Sequence, residues 1–343
     1  MNSLNILVTG GTGFLGSAVV RELLEPNPVL DAATVTVFDL KPPAGETNPG
    51  VMYIRGDICN REEIADACRG IDLVIHTAAI VDWGTHPEDE VYKVNVQGTE
   101  NVIRACREQN VKYLVFTSSL DAIYTGKPMV NVDESAPFPE SHPNMYCRSK
   151  ELAERAVAAA NSDELRTVII RPSDIYGEGD PYHIGSLVAM ARGGFYVRLG
   201  NGQAKSQHVY VGNAAHAHLL AARAILNGSP GAAGQAYLIT DGPGSNFFHF
   251  FDRIIEGIGY NLWPKNFWIP RGAAYAIATI SEMAAVLARP VKKYNPKFSR
   301  FAVLYTCNEF TFSSEKAKRN LGFEPKYSQQ EALERTIAFF KTA

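Results

Sequence analysis

Tyr146 and Lys150 stand four residues apart in Tyr-Cys-Arg-Ser-Lys, so on a helix the phenol and the ammonium share a face. A free tyrosine ionises near pH 10, and bringing it to about 7 takes roughly 4 kcal/mol of preferential stabilisation of the phenolate. One cation about 4 Å away at an effective dielectric of 20 is worth that order. With Lys150 as that cation, Tyr146 reads as a general base able to remove a hydroxyl proton. Upstream, Thr117-Ser118-Ser119 closes the apolar run Tyr113 to Phe116, and the Ser119 hydroxyl suits the task of holding the reacting oxygen. A solvated surface pair is the plain alternative for Tyr146 and Lys150 taken alone. Their order behind a glycine-rich loop and this serine separates the two readings.

That loop opens the chain. Ile6 to Val8 reads as a buried strand, Gly10-Gly11-Thr12-Gly13-Phe14-Leu15-Gly16 as a sharp turn, and Ser17 to Leu24 as a helix burying Val19, Val20, Leu23 and Leu24. Glycines at 10, 13 and 16 permit the turn, let backbone approach a pyrophosphate and bring helix against strand. The helix start offers free N–H groups and the positive end of its dipole to phosphates. Thr34 to Phe38 reads as a second strand and ends in Asp39, a carboxylate placed to accept hydrogen bonds from an adenosine ribose. It would repel a 2′-phosphate, favouring NAD over NADP; Lys41 softens that preference and leaves NADP open. A positive nicotinamide ring would then join Lys150 in stabilising the phenolate, and Lys150 could hold the nicotinamide ribose.

Strands alternate with helical stretches through the first half: strands at Val51 to Ile54, Leu73 to His76, Tyr113 to Phe116 and Thr167 to Ile170, and helices at Arg61 to Cys68, Asp89 to Arg107 and Tyr146 to Ala160. Asp57, beside Ile58, is placed to reach an adenine amino group, and Thr77-Ala78-Ala79 leave room for a cofactor. The pattern predicts an α/β fold, a Rossmann-type doubly wound parallel sheet with a smaller C-terminal substrate-binding subdomain. Residues 1–178 form the NAD-binding domain, with strands around 207–215 and 236–240 returning to it, and 179–343 mainly the substrate-binding part. Lys127 to Asn144 reads as a polar, Pro-rich loop.

The 343 residues are 46% apolar and 20% charged, enough for a large globular core. A net charge of −3 without basic runs argues against nucleic acid. Five cysteines without metal-type spacing read as reduced thiols, and the first strand starts too early for a signal peptide, so a cytoplasmic protein is expected. Gly272 to Ala288 is the most apolar stretch. It has seventeen residues, carries Glu282 and is flanked by Arg271 and Arg289, which suits a helix lining an apolar pocket or resting peripherally on a membrane better than a span. His216 and His218 face different sides of a helix, and no metal site is read. Trp83, Trp263, Trp268 and Phe247 to Phe251 read as core, with a place for a few of them facing the substrate left open.

The glycine loop, Thr117-Ser118-Ser119 and Tyr146-x-x-x-Lys150 together resemble the extended short-chain dehydrogenases/reductases. Arg171-Pro172-Ser173-Asp174-Ile175-Tyr176-Gly177-Glu178-Gly179-Asp180 and Val209-Tyr210-Val211-Gly212-Asn213 narrow the resemblance to the 3β-hydroxysteroid dehydrogenase branch, which includes the sterol-4α-carboxylate 3-dehydrogenases. The likeness runs from Leu4 to about Thr240 and fades after it. It implies a catalytic set of Ser119, Tyr146 and Lys150, with Asn95 holding a proton-relay water. It also implies an NAD site of Gly10, Gly13, Phe14, Leu15, Gly16, Asp39, Asp57, Ile58, Ala78 and Lys150, with Pro172 and Ser173 near the nicotinamide. The substrate implied is small and sterol-like, and dimers through two helices are common among related enzymes. The run Leu120 to Thr125 before Gly126 is longer than the family's, which leaves Ser118 or Ser119 as the serine, with Ser119 preferred. Nucleotide-sugar epimerases and dehydratases share these motifs. They carry an Arg-Asp pair where this chain has Ser206-Gln207-His208, and a lost diphosphate-clamping arginine is hard to replace. A cofactor-sensing binding protein would commonly lack the tyrosine or lysine that this chain keeps.

Overall fold

The computed structural model describes residues 3–26, 29–42, 48–83, 86–288 and 298–342. Its centre is a parallel sheet of seven strands: β1 (Leu4–Thr9), β2 (Ala32–Asp39), β3 (Val51–Arg55), β4 (Leu73–His76), β5 (Tyr113–Thr117), β6 (Arg166–Pro172) and β7 (Ala236–Ile239), in the order β7-β6-β5-β4-β1-β2-β3. Strand order reverses between β1 and β4, the switch point at which such sheets bind ligands outside their carboxyl ends. Val8 stands level with Val37 on one side and Ile75 on the other, so the three strand ends beside the glycine loop finish together.

Side chains alternate across the sheet and feed two cores. Ile6, Val8, Val37, Ile75 and Val115 point to one side, with α1 (Phe14–Leu23) and a later helix packed over them. Leu7, Phe38, Val74, Leu114 and Phe116 point to the other. That second face is covered by α2 (Glu88–Tyr92), which runs through a π-helical turn at Lys93–Gly98 into α3 (Thr99–Glu108), and by α4 (Met145–Ala160). The expected uninterrupted helix is thus broken by a wide turn around Asn95. The helix over the first face is α5 (Val211–Leu226).

Several expectations need correction. Helix α1 starts at Phe14, before Ser17, because Gly13 already serves as its cap; Leu24 lies at the C-terminal cap and is exposed. The strand near residue 207 is only His208–Tyr210, and it pairs with Asp174–Tyr176 in a separate ribbon instead of joining the sheet, while the residues from Val211 are helical. The polar loop after Lys127 contains a strand, Met129–Val132, held by Phe310–Phe312 from the far end of the chain. Phe247, Phe248, Phe250 and Phe251 are buried on α6 (Phe247–Ile258), and Trp268 packs against Phe248, but Trp263 is 62% exposed.

Helix α7 (Arg271–Ala288) covers the most apolar stretch. Its inward positions are alanines, Ala274, Ala278 and Ala285, packed toward α8 (Arg300–Cys307), and Ile277, Ile280 and Met283 face outward. Among the described residues none of α7 lines the cavity at the carboxyl ends of the strands, which α8 reaches through Phe301 and Tyr305. No helix among the described residues is long and apolar enough to cross a membrane. Arg289, expected to flank α7, lies outside the described residues.

Candidate active site

A cavity of about 570 Å³ runs along the carboxyl ends of β1, β2, β4, β5 and β6. At one end lies the glycine loop. Gly10 has φ +70°, and a Cβ there would meet the Ala78 backbone at 2.7 Å; one on Gly16 would sit 2.1 Å from the Gly10 carbonyl oxygen. A side chain at Gly16 would prise α1 away from the glycine loop, and one at Gly10 would push that loop off the segment after β4. No side chain caps α1, so its first N–H groups face the cavity unclaimed beside Gly13, Phe14 and Leu15. Asp39 closes this end: its carboxylate accepts the Thr12 N–H (3.1 Å) and the Lys41 N–H (3.2 Å), which fix its orientation. Asp57, steadied by the Cys59 N–H (2.8 Å), lies alongside with Ile58, and Ala78 forms the wall between the two ends.

At the other end the cavity meets Ser119, Tyr146 and Lys150, with Pro172 and Ser173 across from them. Asn144 caps α4 by accepting the Cys147 N–H, which places Tyr146 in the first turn and Lys150 one turn on. All three are buried. Lys150 donates through Nζ to the Thr117 carbonyl (3.0 Å), and burial pulls its ammonium down to about 8, opposed by the charges of Asp121 and Glu154. The Ser118 hydroxyl donates to Glu154 (2.7 Å), which is paired with Arg171. Ser119 donates to Asp121 (2.7 Å) and accepts the Asp121 N–H (3.1 Å).

Two observations bear on the expected roles of Tyr146 and Asn95. Burial drives the Tyr146 phenol well above its ordinary value, the Asp121 charge adds to this, and Ser119 works against it. Without the cofactor, burial thus holds the phenol protonated; the stabilisation expected of Lys150 together with a positive nicotinamide ring belongs to the cofactor complex. Asn95 does not line the cavity. Its amide accepts the Ile80 N–H (2.8 Å) and donates to the Ile80 carbonyl (2.9 Å) and to the Ser149 hydroxyl (3.0 Å), pinning the loop after β4 to α4. The π turn is what aims it there.

The sequence reading missed Asp121, Asp174, His183, Phe301 and Tyr305, which wall this end together with Trp83, one of the aromatics left open to face a substrate. The Tyr305 hydroxyl donates to Asp174 (2.5 Å), and His183 stands between Asp174 (3.7 Å) and Asp180 (3.8 Å). Trp83 packs edge-on against Tyr305 and Phe301. Asp121, two residues past the serine at a sheet edge, carried a signal; the others arrive from far along the chain. His76, read as a packing histidine, is buried between Thr9 and Thr99, and burial lowers it to about 3. His216 pairs with Glu22 while His218 meets Thr117, so the two do diverge.

The model for the 3-beta hydroxysteroid dehydrogenase/isomerase family matches residues 7–268. The chain belongs to that family. It is an oxidoreductase acting on CH–OH groups, and the likeness reaches past Thr240, further than the motifs alone suggest. Mouse sterol-4-alpha-carboxylate 3-dehydrogenase, decarboxylating, is 34% identical over 97% of this chain and 90% of that protein. Human 3 beta-hydroxysteroid dehydrogenase type 7 is 35% identical over 98% and 95%. Among solved structures, an epimerase from Methanothermobacter thermautotrophicus superposes with a TM-score of 0.77 at 19% identity, covering 99% of this chain and 93% of its own. The UDP-glucose 4-epimerase of Thermotoga maritima does so at 0.74 and 23%, covering 99% of each. These two likenesses establish the fold of this family member.

Proposed function

We propose that this protein oxidises a secondary alcohol on a sterol- or steroid-like ring with NAD, or runs the same step in reverse. The observation that carries the reading is one continuous cavity. It joins an uncapped, glycine-lined helix start and Asp39 at one end to Ser119, Tyr146 and Lys150 under an aromatic wall at the other. NAD, when bound, supplies the hydride acceptor. Gly10, Gly13 and Gly16 clear space for its pyrophosphate, Asp39 accepts from the adenosine ribose, and Lys150 holds the second ribose. Tyr146 exchanges the hydroxyl proton, and Ser119 fixes the substrate oxygen. Asn95 acts at one remove, holding the loop after β4 in place. Trp83, Phe301 and Tyr305 suit an apolar ring system. The relatives named above, acting on sterol and steroid alcohols by name, support that substrate class.

Following NADH absorbance with 3β-hydroxysteroids, 4-carboxysterols and UDP-sugars side by side tests the reading. Turnover of a sterol or steroid alone supports it; turnover confined to UDP-sugars overturns it in favour of epimerase-like chemistry. In the same assay Asp39→Ala is expected to move the NAD-to-NADP ratio of kcat/KM about tenfold toward NADP, equivalent to roughly 1.4 kcal/mol. An unchanged ratio would remove Asp39 from the ribose.

The outer face of α7 supports peripheral contact with a membrane, where a sterol would be collected: Ile280 and Met283 are more than 60% exposed, and Phe195, Trp263 and Phe267 form another exposed apolar group. Wild-type protein should float with phosphatidylcholine vesicles, and Ile280→Asp/Met283→Asp should stay behind. Equal flotation would dismiss this face.

A further inference from the structure

Asp121 sits in the short turn Leu120–Ile123 directly after the serine, and it is buried with no cation paired to it among the described residues. Its carboxylate is tied to the reacting end of the cavity by the 2.7 Å hydrogen bond it accepts from the Ser119 hydroxyl. Its own backbone N–H donates back to the same Ser119 oxygen (3.1 Å), so residue and hydroxyl are locked in a ring. Ser119 in turn faces the Tyr146 phenol. A buried carboxylate without a directly paired cation is costly, and at a reacting centre it is a candidate for taking up a proton.

We infer that Asp121 is the proton store of this site, receiving through Tyr146 and Ser119 the proton that leaves the substrate hydroxyl and returning it by the same path when a ketone is reduced. The inference rests on the dehydrogenase reading above. In oxidation the substrate O–H bond breaks and a Tyr146 O–H bond forms. The proton Tyr146 held moves to Ser119 Oγ, and the proton Ser119 held moves to Asp121 Oδ2. The carbinol hydrogen leaves with its electron pair to the oxidised nicotinamide, so alcohol becomes ketone, NAD becomes NADH and Asp121 becomes neutral. No free phenolate is needed at any point, which fits a phenol that burial holds protonated.

The groups around Asp121 are mixed in sign. Lys150 and His183 favour its ionised form, as does the Ser119 hydrogen bond, while Asp174 and above all burial oppose it, bringing it to about 7. The Cys147 thiol stands 4.0 Å from its other oxygen, and Tyr124 and Tyr305 lie within its field. A store with this midpoint must be empty for oxidation and full for reduction. Oxidative kcat then rises with pH through about 7, and reductive kcat falls through the same point.

Asp121→Asn separates this from simple positioning, because the amide still accepts the Ser119 hydroxyl but takes up no proton. The first measurement is a titration of 13C-carboxyl-labelled aspartate in the protein without substrate. One resonance should move with a midpoint near 7 in the wild type and be absent from Asp121→Asn. The second is the pH profile: both limbs near 7 should vanish in the variant, oxidative kcat should fall about 100-fold, and KM for NAD should stay within about twofold. If the limb survives in Asp121→Asn, or the aspartate titrates below pH 5, the inference is wrong. A wild type that turns over no alcohol overturns the dehydrogenase reading and takes the inference with it, an outcome distinct from turnover with an unmoved limb.

Discussion

Tyr146→Phe is expected to lower turnover at least about 1000-fold while leaving NAD affinity within twofold. The substitution removes one oxygen from a ring that is buried and held in the first turn of α4 by the Asn144 cap, so packing and helix are retained. In the proposed reaction the missing atom is the one that meets both the substrate oxygen and Ser119. Without it the hydroxyl proton has no donor–acceptor path, and positioned general acid–base catalysis is worth roughly 100- to 10,000-fold. The cofactor end of the cavity lies at the glycine loop and Asp39 and is untouched. Activity of more than a tenth of wild type would remove Tyr146 from the chemistry. Matched loss of NAD binding would show a structural effect instead.

Glu154→Leu is expected to destabilise the protein by about 3–5 kcal/mol, read as a large drop in the urea unfolding midpoint. Glu154 stands one turn beyond Lys150 on the same helix, and its carboxylate accepts from Arg171 Nε (3.0 Å) and from the Ser118 hydroxyl (2.7 Å). Both side chains of the ion pair are about 95% buried. Removing the acid leaves a guanidinium in the core with no counter-charge, since Arg171 Nη1 already lacks a partner. Adding Arg171→Met to Glu154→Leu should recover most of the loss, because the penalty belongs to the orphaned charge more than to the pair. If the double variant is as unstable as the single one, the cost lies in packing.

Much of this architecture is written locally. The buried strand, the three glycines and the acid at the end of β2 are neighbours in the chain, and each follows from a backbone need or a short-range placement. The phenol and ammonium on one helical face need only the helix period. The walls of the substrate end are different. Tyr305, Phe301 and His183 reach the cavity from segments whose own sequences carry no trace of that meeting. Met129–Val132 becomes a strand because Phe310–Phe312 comes back to it across some 180 residues. Gly272 to Ala288 left two readings open for a related reason: its apolarity was legible, but which side would be covered depended on alanines facing α8. The elevated Tyr146 phenol was hidden as well, because burial and the nearby Asp121 are properties of the assembled site.

The most direct test of the dehydrogenase reading is hydride tracking. A 3β-hydroxysteroid bearing deuterium on the carbinol carbon is incubated with the protein and NAD, and the reduced cofactor is weighed by mass spectrometry. The reading calls for NADH one mass unit heavier and a 3-ketone without label. Unlabelled NADH, or label returned to the substrate carbon with no net reduction, would contradict it.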